Sequence, residues 1–376
     1  MDSRPTCGRR THRAARLASL ALVAGGLLTA GAAPAAAQER AAAPDSAKGP
    51  WTPPPLFEES GVLTLTVRTD LRSLIGDRDS TGRSYHDATV LLHGAGGRVD
   101  TMQARLRTRG HFRRQTRVCD FPPLRVDFRR GVRGTPFARQ EDLKLVTRCQ
   151  SRRDEYEQYL LQEYAVYRML NALTPRSFRA RLARITYEDT TRRHPGLTTY
   201  AFFVEPEKDM ARRLGGIVLD APNARLHDID STQTHLVSMF QYMVGNTDWS
   251  IPGLHNIVLV QATSSDSSTL SVFPVPYDFD WTGLVNARYA YPDARLPIRT
   301  VRERLFRGYC VRGAELRPAV EHIAARRAAV HAAVDSVPGM EPKTRETLRG
   351  YVDDYFRLVG DGGSLQRQID VRCVPP

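Results

Sequence analysis

The sequence predicts an α+β protein: a mainly antiparallel, sheet-rich N-terminal lobe with one inserted helix, then a larger helical C-terminal lobe. Three observations predict it. Strand-like alternation recurs between residues 61 and 207. A single long helical apolar pattern, Glu155 to Leu173, interrupts that alternation. Beyond residue 300 the chain reads mostly as helix. The 376 residues, 41% of them hydrophobic, suffice for one large domain or two small ones with a real core.

Residues 1–37 read as a secretory leader. Arg4, Arg9, Arg10, Arg13 and Arg16 form a basic start, LASLALVAGGLLTAGAA a short apolar stretch, and Ala35-Ala36-Ala37 a small-residue cleavage site. An extracytoplasmic protein, secreted or periplasmic, is therefore expected. No later window reaches the roughly 18 apolar residues of a spanning helix. Residues 38–56 are rich in Ala and Pro and read as a linker. Residues 57–210 are expected to form the sheet-rich lobe, and residues 211–376 the mainly helical one.

Within the first lobe, GVLTLTVRTDL alternates as a strand, and YHDATVLLH, GAGG and VDTMQARLRTRG read as a hairpin. FPPLRVDF and DLKLVTRC are two further strands. The helix over residues 155–173 carries Tyr159, Leu160, Glu163, Tyr167 and Leu170 at helical spacing, and Pro175 stops it. RARLARITYED and TTYAFFVEPE form a strand pair around TTRRHPG. In the second lobe TQTHLVSMFQYMV is a helix, and IVLVQ and LSVFPVPYD form a hairpin around ATSSDSST. VRERLFRGYC, LRPAVEHIAARRAAVHAAVDSV and TRETLRGYVDDYFRLVG are expected to be helical.

Removing the leader takes away five Arg and one Asp and lowers the formal charge from +13 to +9. That balance favours anionic partners. The Arg residues are dispersed and no nucleic-acid motif is present, so no nucleic acid is expected. Cys119, Cys149, Cys310 and Cys373 remain, and four cysteines in an exported chain predict two disulfides. Three pairings are open. Cys119 with Cys149 is closest in sequence, and Cys310 with Cys373 would tie down the C-terminus.

The chemistry concentrates in GNTDWSIPGLHNIVLV and, 18 residues after Asn256, PVPYDFDW. Asp248 and Asn256 bracket a loop leading into one strand of the hairpin, and Asp278 follows the other strand. A hairpin brings its open ends together, so these side chains converge at one rim. Three oxygen ligands there suit a hard divalent ion such as Mg²⁺ or Mn²⁺, and a further carboxylate can orient a hydroxyl for attack. The blander account is that Asn and Asp sit in turns and cap helices.

NTDWSIPGLHNIVLV followed by VFPVPYDFDW resembles the catalytic-loop and metal-loop segments of atypical protein kinases, most of all the spore-coat-protein-H (CotH) family. That resemblance implies a protein-kinase-like two-lobed fold and an exported kinase that transfers phosphate from ATP to a hydroxyl acceptor with a divalent metal. It implies Asp248 as the catalytic Asp, Asn256 and Asp278 as metal ligands, and Asp280 as the second Asp of the metal segment. The chain departs from the family pattern at Tyr277, where Trp is favoured, and in TRGHFRRQTRVCDFPPLRVDF, which keeps only Arg109-Gly110 and the following strand. The Asp-to-Asn spacing also exceeds the roughly five residues of ordinary protein kinases.

A nucleotide lobe needs positive charge. Lys144, one of few lysines, sits on a predicted strand, and Glu163 on the next helix is its expected partner. Arg109 offers a second phosphate contact, where Gly110 lets the backbone approach an anion. Glu205 in VEPEK is a candidate for the nucleotide or a metal, or a surface turn. GAGG reads as a hairpin turn, and His255 as a packing or capping residue. Other readings are a catalytically inactive kinase-like binding protein, a secreted metal-dependent hydrolase using Asp248, Asp278 and Asp280, and a calcium-stabilised module. The acceptor (protein, small molecule or envelope polymer) and the choice between phosphoryl and nucleotidyl transfer stay open.

Overall fold

Among the described residues, seven strands between Leu63 and Val204 close on themselves, and eight helices with a three-stranded sheet account for most of the rest. The computed structural model describes residues 51–78, 84–263, 270–360 and 362–375. The leader, the linker up to residue 50 and most of the ATSSDSST turn lie outside the described residues.

Strand β1 (Leu63–Thr69) is followed by a short helix α1 (Leu71–Gly76), which Asp70 caps by accepting from Ser73 N at 3.0 Å. Strands β2 (His86–His93) and β3 (Val99–Thr108) form the expected hairpin, with a single 3₁₀ turn at Ala95–Gly97. Next come β4 (Leu124–Arg130), β5 (Asp142–Val146), helix α2 (Glu155–Leu173), β6 (Ala180–Asp189) and β7 (Leu197–Val204). The order around the barrel is β1-β2-β3-β4-β5-β7-β6, all antiparallel except where β6 meets β1 in parallel. The mainly antiparallel sheet expected from the sequence is thus a closed barrel. Closure follows from the alternation: Leu65, Val67, Val90, Leu106, Val126 and Leu145 all turn inward, and only a ring of strands lets every strand bury that face without leaving an edge. The interior holds just about 10 Å³ of free space, so it is a packed core and no ligand chamber.

A helix α3 (Glu207–Arg213) and strand β8 (Gly216–Leu219) follow, neither of them expected. Helix α4 (Ser231–Val244) begins at Asp230, whose carboxylate accepts from Gln233 N at 2.7 Å. It ends at Gly245 with φ 67°, where a Cβ would also collide with the Tyr351 hydroxyl. Strands β9 (Ile257–Thr263) and β10 (Leu270–Pro276) pair antiparallel in the expected hairpin, with β8 on the far side of β9. Helices α5 (Gly313–Ala325), α6 (Arg327–Asp335), α7 (Pro342–Gly360) and α8 (Gly362–Arg372) complete the chain.

VRERLFRGYC is not helical as expected. Leu305 and Phe306 are both buried, and the Arg side chains spend their donors on distant carbonyls: Arg302 on Gly283 O at 3.0 Å, Arg304 on Met243 O and Tyr351 O. Two disulfides form, Cys119–Cys149 and Cys310–Cys373. Among the described residues no helix is long and apolar enough to cross a membrane.

Two clusters hold most of the interior. One cluster fills the barrel. The larger gathers around α2, α4, β9, β10 and the C-terminal helices. Helix α2, buried on most of its surface, packs on β7 and α6 and so carries Glu163 and Tyr167 beneath the mouth of the β9–β10 hairpin.

Candidate functional site

The hairpin register sets the site. Ile257 stands opposite Pro276, and the pairing runs one step further because Tyr277 N donates to Asn256 O at 3.0 Å. Asn256 and Asp278 therefore leave the two strands at the same end. Both adopt left-handed backbone, φ 52° and 61°. Asn and Asp are the non-glycine residues that tolerate this best, and such conformations concentrate where a site over-determines them. Asp278 N donates to the Tyr167 hydroxyl at 2.9 Å, which anchors that turn to α2.

Asp248 lies on the loop between α4 and β9. A small ladder, Ser250 N to His255 O and His255 N to Ser250 O, both 3.0 Å, folds the loop back on itself. Asn256 Nδ2 then donates to Asp248 O at 2.8 Å and to Asp248 Oδ2 at 3.1 Å. His255 Nε2 pairs with Asp248 Oδ1 at 2.8 Å, and that bond raises the imidazole pKa above its ordinary value. Sequence reasoning set His255 aside; the structure places it against the candidate catalytic carboxylate. A cavity of about 660 Å³ opens beside Asp248, lined also by His255, Trp281, Tyr291, Asp293 and Arg307.

Glu163, Asp278 and Asp280 bring carboxylate oxygens within 4.8 Å of one another. Glu163 and Asp280 are buried, and Asp278 is partly exposed. The Arg113 guanidinium lies among them: NH1 is 3.5 Å from Glu163 Oε2, NH2 3.6 Å from Asp278 Oδ1 and Nε 3.3 Å from Asp280 Oδ2. Burial pushes the Glu163 carboxyl well above the usual range, and pushes Asp280 up to about 7. Burial opposes the charge on Arg113, but Asp280, Tyr289, Glu163 and Asp278 outweigh it and raise its pKa well above the ordinary value. Glu163 Oε1 is buried with no hydrogen-bond partner.

The other sequence-derived residues divide. Lys144 is on β5 as expected, but its Nζ pairs with Glu207 Oε1 at 2.6 Å and lies 5.0 Å from the Tyr277 ring centre. The expected Lys144–Glu163 pair is replaced by Lys144–Glu207 and Arg113–Glu163, because α3 presents its first-turn carboxylate directly to β5. Arg109 follows β3, its N–H donating to Pro123 O at 2.8 Å, with Gly110 beyond it at φ 84°. Its guanidinium feels Asp278, while burial lowers its pKa, and its Nε has no partner. Glu205 does not sit in a surface turn. It is buried, takes both Arg213 Nε and NH2 at 2.8 Å, and accepts Arg179 N at 3.0 Å. Its oxygens tie the end of α3, at Arg213, to Arg179 just before β6. Arg113 and Glu207 were missed. The HFRRQTR run and the Glu in VEPEK carried the signal, but only long-range packing decides which charge meets which.

The donor set fits a hard divalent ion in kind, being three carboxylates with one orphaned oxygen, and Arg113 lies in the same space. No family profile matches the chain, and no curated protein matches it. Among solved structures the chain is similar to a Helicobacter pylori proinflammatory kinase, CtkA. That likeness has 13% identity, covers 62% of this chain and 92% of that one, and has a TM-score of 0.37, a degree of similarity that carries no argument about fold or activity.

Proposed function

We propose that the chain is an exported, kinase-like phosphotransferase of the CotH kind, with a two-lobed arrangement that moves the γ-phosphate of ATP to a hydroxyl acceptor with Mg²⁺ or Mn²⁺. One observation supports this above the rest. The hairpin register brings Asn256 beside Asp278 while Asn256 also grips Asp248, so an acceptor-orienting carboxylate and the acidic trio share one rim.

In this reading the acceptor oxygen attacks the γ-phosphorus, the bond to the β–γ bridging oxygen breaks, and ADP leaves. Asp248 accepts the acceptor's proton, with His255 and Asn256 fixing its two oxygens. The acceptor enters through the cavity beside Asp248. Lys144 and Arg109 supply positive charge for the phosphates. A bound divalent ion would neutralise phosphate charge, held by Asp278, Asp280 and Glu163, with the amide oxygen of Asn256 as a further ligand. The two disulfides fit an oxidising, extracytoplasmic setting.

Thermal-shift titration with ATP, with and without Mn²⁺, tests the proposal. Wild type should show a metal-dependent shift that Asp278→Ala loses. Asp248→Ala should keep the shift and lose transfer by about 10²-fold or more, the scale of a positioned acid–base group. No shift with any common nucleotide would refute nucleotide binding, and an equal shift for Asp278→Ala would refute its metal role.

A further inference from the structure

Arg113 is held unlike Arg213. Glu205 and Arg213, the comparison within the same chain, meet at 2.8 Å through two parallel bonds. That is the length and shape of a settled charge-assisted pair. Arg113 faces three carboxylates at 3.3, 3.5 and 3.6 Å, and its one hydrogen bond among them, to Glu163 Oε2, is long at 3.5 Å. Its planar fork suits two parallel oxygens of one carboxylate, whereas these oxygens come from three residues converging from α2 and the segment after β10. Glu163 Oε1, buried to 1% exposure at the residue level, is left without a partner beside it. A guanidinium thus fills the space between ligands arranged around a point. It balances one charge where three carboxylates gather.

The backbone of the segment that delivers Arg113 is pinned at its far side, where Arg78 donates to the carbonyls of Arg114, Cys119 and Asp120 and Phe121 sits in the barrel core. It leaves β3 at Arg109 and returns at Pro123, where one backbone bond closes its neck. Within it no residue pairs with a strand. Cys119 ties its far side to Cys149. Phe112, next to Arg113, rests edge-on against Trp281 at 5.1 Å and Tyr291 at 6.2 Å, and both of those rings line the cavity beside Asp248.

We propose that Glu163, Asp278 and Asp280 form a divalent-cation seat whose resident occupant is the Arg113 guanidinium, and that a hard divalent ion binds there only in exchange for it. Glu163, expected from the sequence to pair with a lysine, is thereby assigned as a ligand, and the Arg113 side chain becomes the element that opens the seat. The inference rests on the reading of this rim as an ion site, but needs neither ATP nor transfer.

The test uses Mn²⁺ alone, with no nucleotide, on the oxidised full chain. Binding is read from the electron paramagnetic resonance signal of free Mn²⁺. Arg113→Gln should bind at least about tenfold more tightly than wild type, while Arg113→Gln with Glu163→Gln should lose that gain. If wild type and Arg113→Gln bind Mn²⁺ equally, or neither binds, the exchange is refuted. Should Arg113→Gln fold only when Mn²⁺ is present, that rescue supports the proposal. A variant that fails to fold either way leaves the decision to wild type: modification of arginines by a dicarbonyl reagent, mapped by mass spectrometry, should label Arg113 several-fold faster with Mn²⁺ than without. Unchanged labelling overturns the proposal. A chain that shows the exchange but never binds ATP would refute the kinase reading and leave the cation seat standing.

Discussion

Cutting the Cys119–Cys149 link should destabilise the protein strongly, and for a reason that can be separated from local packing. The perturbation is Cys119→Ala with Cys149→Ala, which removes the bond without burying a hydroxyl at two positions that are nearly inaccessible. The two cysteines are 30 residues apart. The loop-closure entropy for such a length gives about 3.6 kcal/mol at 25 °C, against about 4.3 kcal/mol for the 63-residue separation of Cys310–Cys373. Packing of the sulfurs against Tyr156 adds to the first figure, since that tyrosine belongs to the same small cluster. The assay is guanidinium denaturation of the variant against oxidised wild type. Limited trypsin digestion adds a local readout: the segment 111–118 contains Arg113, Arg114 and Arg117, and cleavage there should accelerate when the staple is lost. A loss of stability below about 1 kcal/mol, or trypsin sites in this segment as resistant as in wild type, would refute the argument that the link constrains this loop.

Glu205→Ala should cost about 3–5 kcal/mol in denaturant unfolding, because it strands the buried Arg213 guanidinium; a loss under 1 kcal/mol would show that Pro175 O and Ser177 O already satisfy that guanidinium. Asp230→Ala should cost about 1 kcal/mol through the lost cap of α4. Burial works to raise the Asp230 pKa, but the Gln233 N–H and the Arg176 guanidinium outweigh it and hold the value below the usual carboxylate range. Its stabilisation is therefore present above the unfolded value of about 3.9 and lost as pH falls through the folded value. The stability gap between wild type and Asp230→Ala should narrow as pH drops from 5 toward 2, and a constant gap would contradict this. Gly245→Ala should destabilise by more than about 1 kcal/mol, since φ is positive and the Tyr351 hydroxyl occupies the new methyl's place; circular-dichroism melts read it directly.

Elements whose signals are local were legible in the sequence. The β9–β10 hairpin and α2 follow from alternation and periodicity over a few residues, and the hairpin alone implies that Asn256 and Asp278 leave at one end. Charge pairing was not legible. Glu163 and Arg113 are 50 residues apart, and nothing near either one favours that partner over Lys144. Barrel closure was hidden for the same reason, as β1 meets β6 across 120 residues from Leu63 to Ala183. The stretch from Val301 to Cys310 has helical composition, yet Arg302 and Arg304 give their donors to remote carbonyls, and tertiary bonding overrides propensity. Short elements such as α3 and β8 carry too few residues for a period to show.

The closure of the barrel also sets an order of assembly. β1 can pair with β2 as soon as His93 has emerged, yet its other edge has no partner until β6 is made. Bringing those edges together across 120 residues costs about 4 kcal/mol in chain entropy, against about 3 kcal/mol for the β1–β2 contact. Between those two moments an N-terminal fragment displays Leu65 and Val67 on a strand with open hydrogen bonds, the form most prone to pair with a neighbouring copy. Fragments ending before Ala180 should therefore aggregate where the full chain does not. The open edge of the first strand is closed only once the sixth is made.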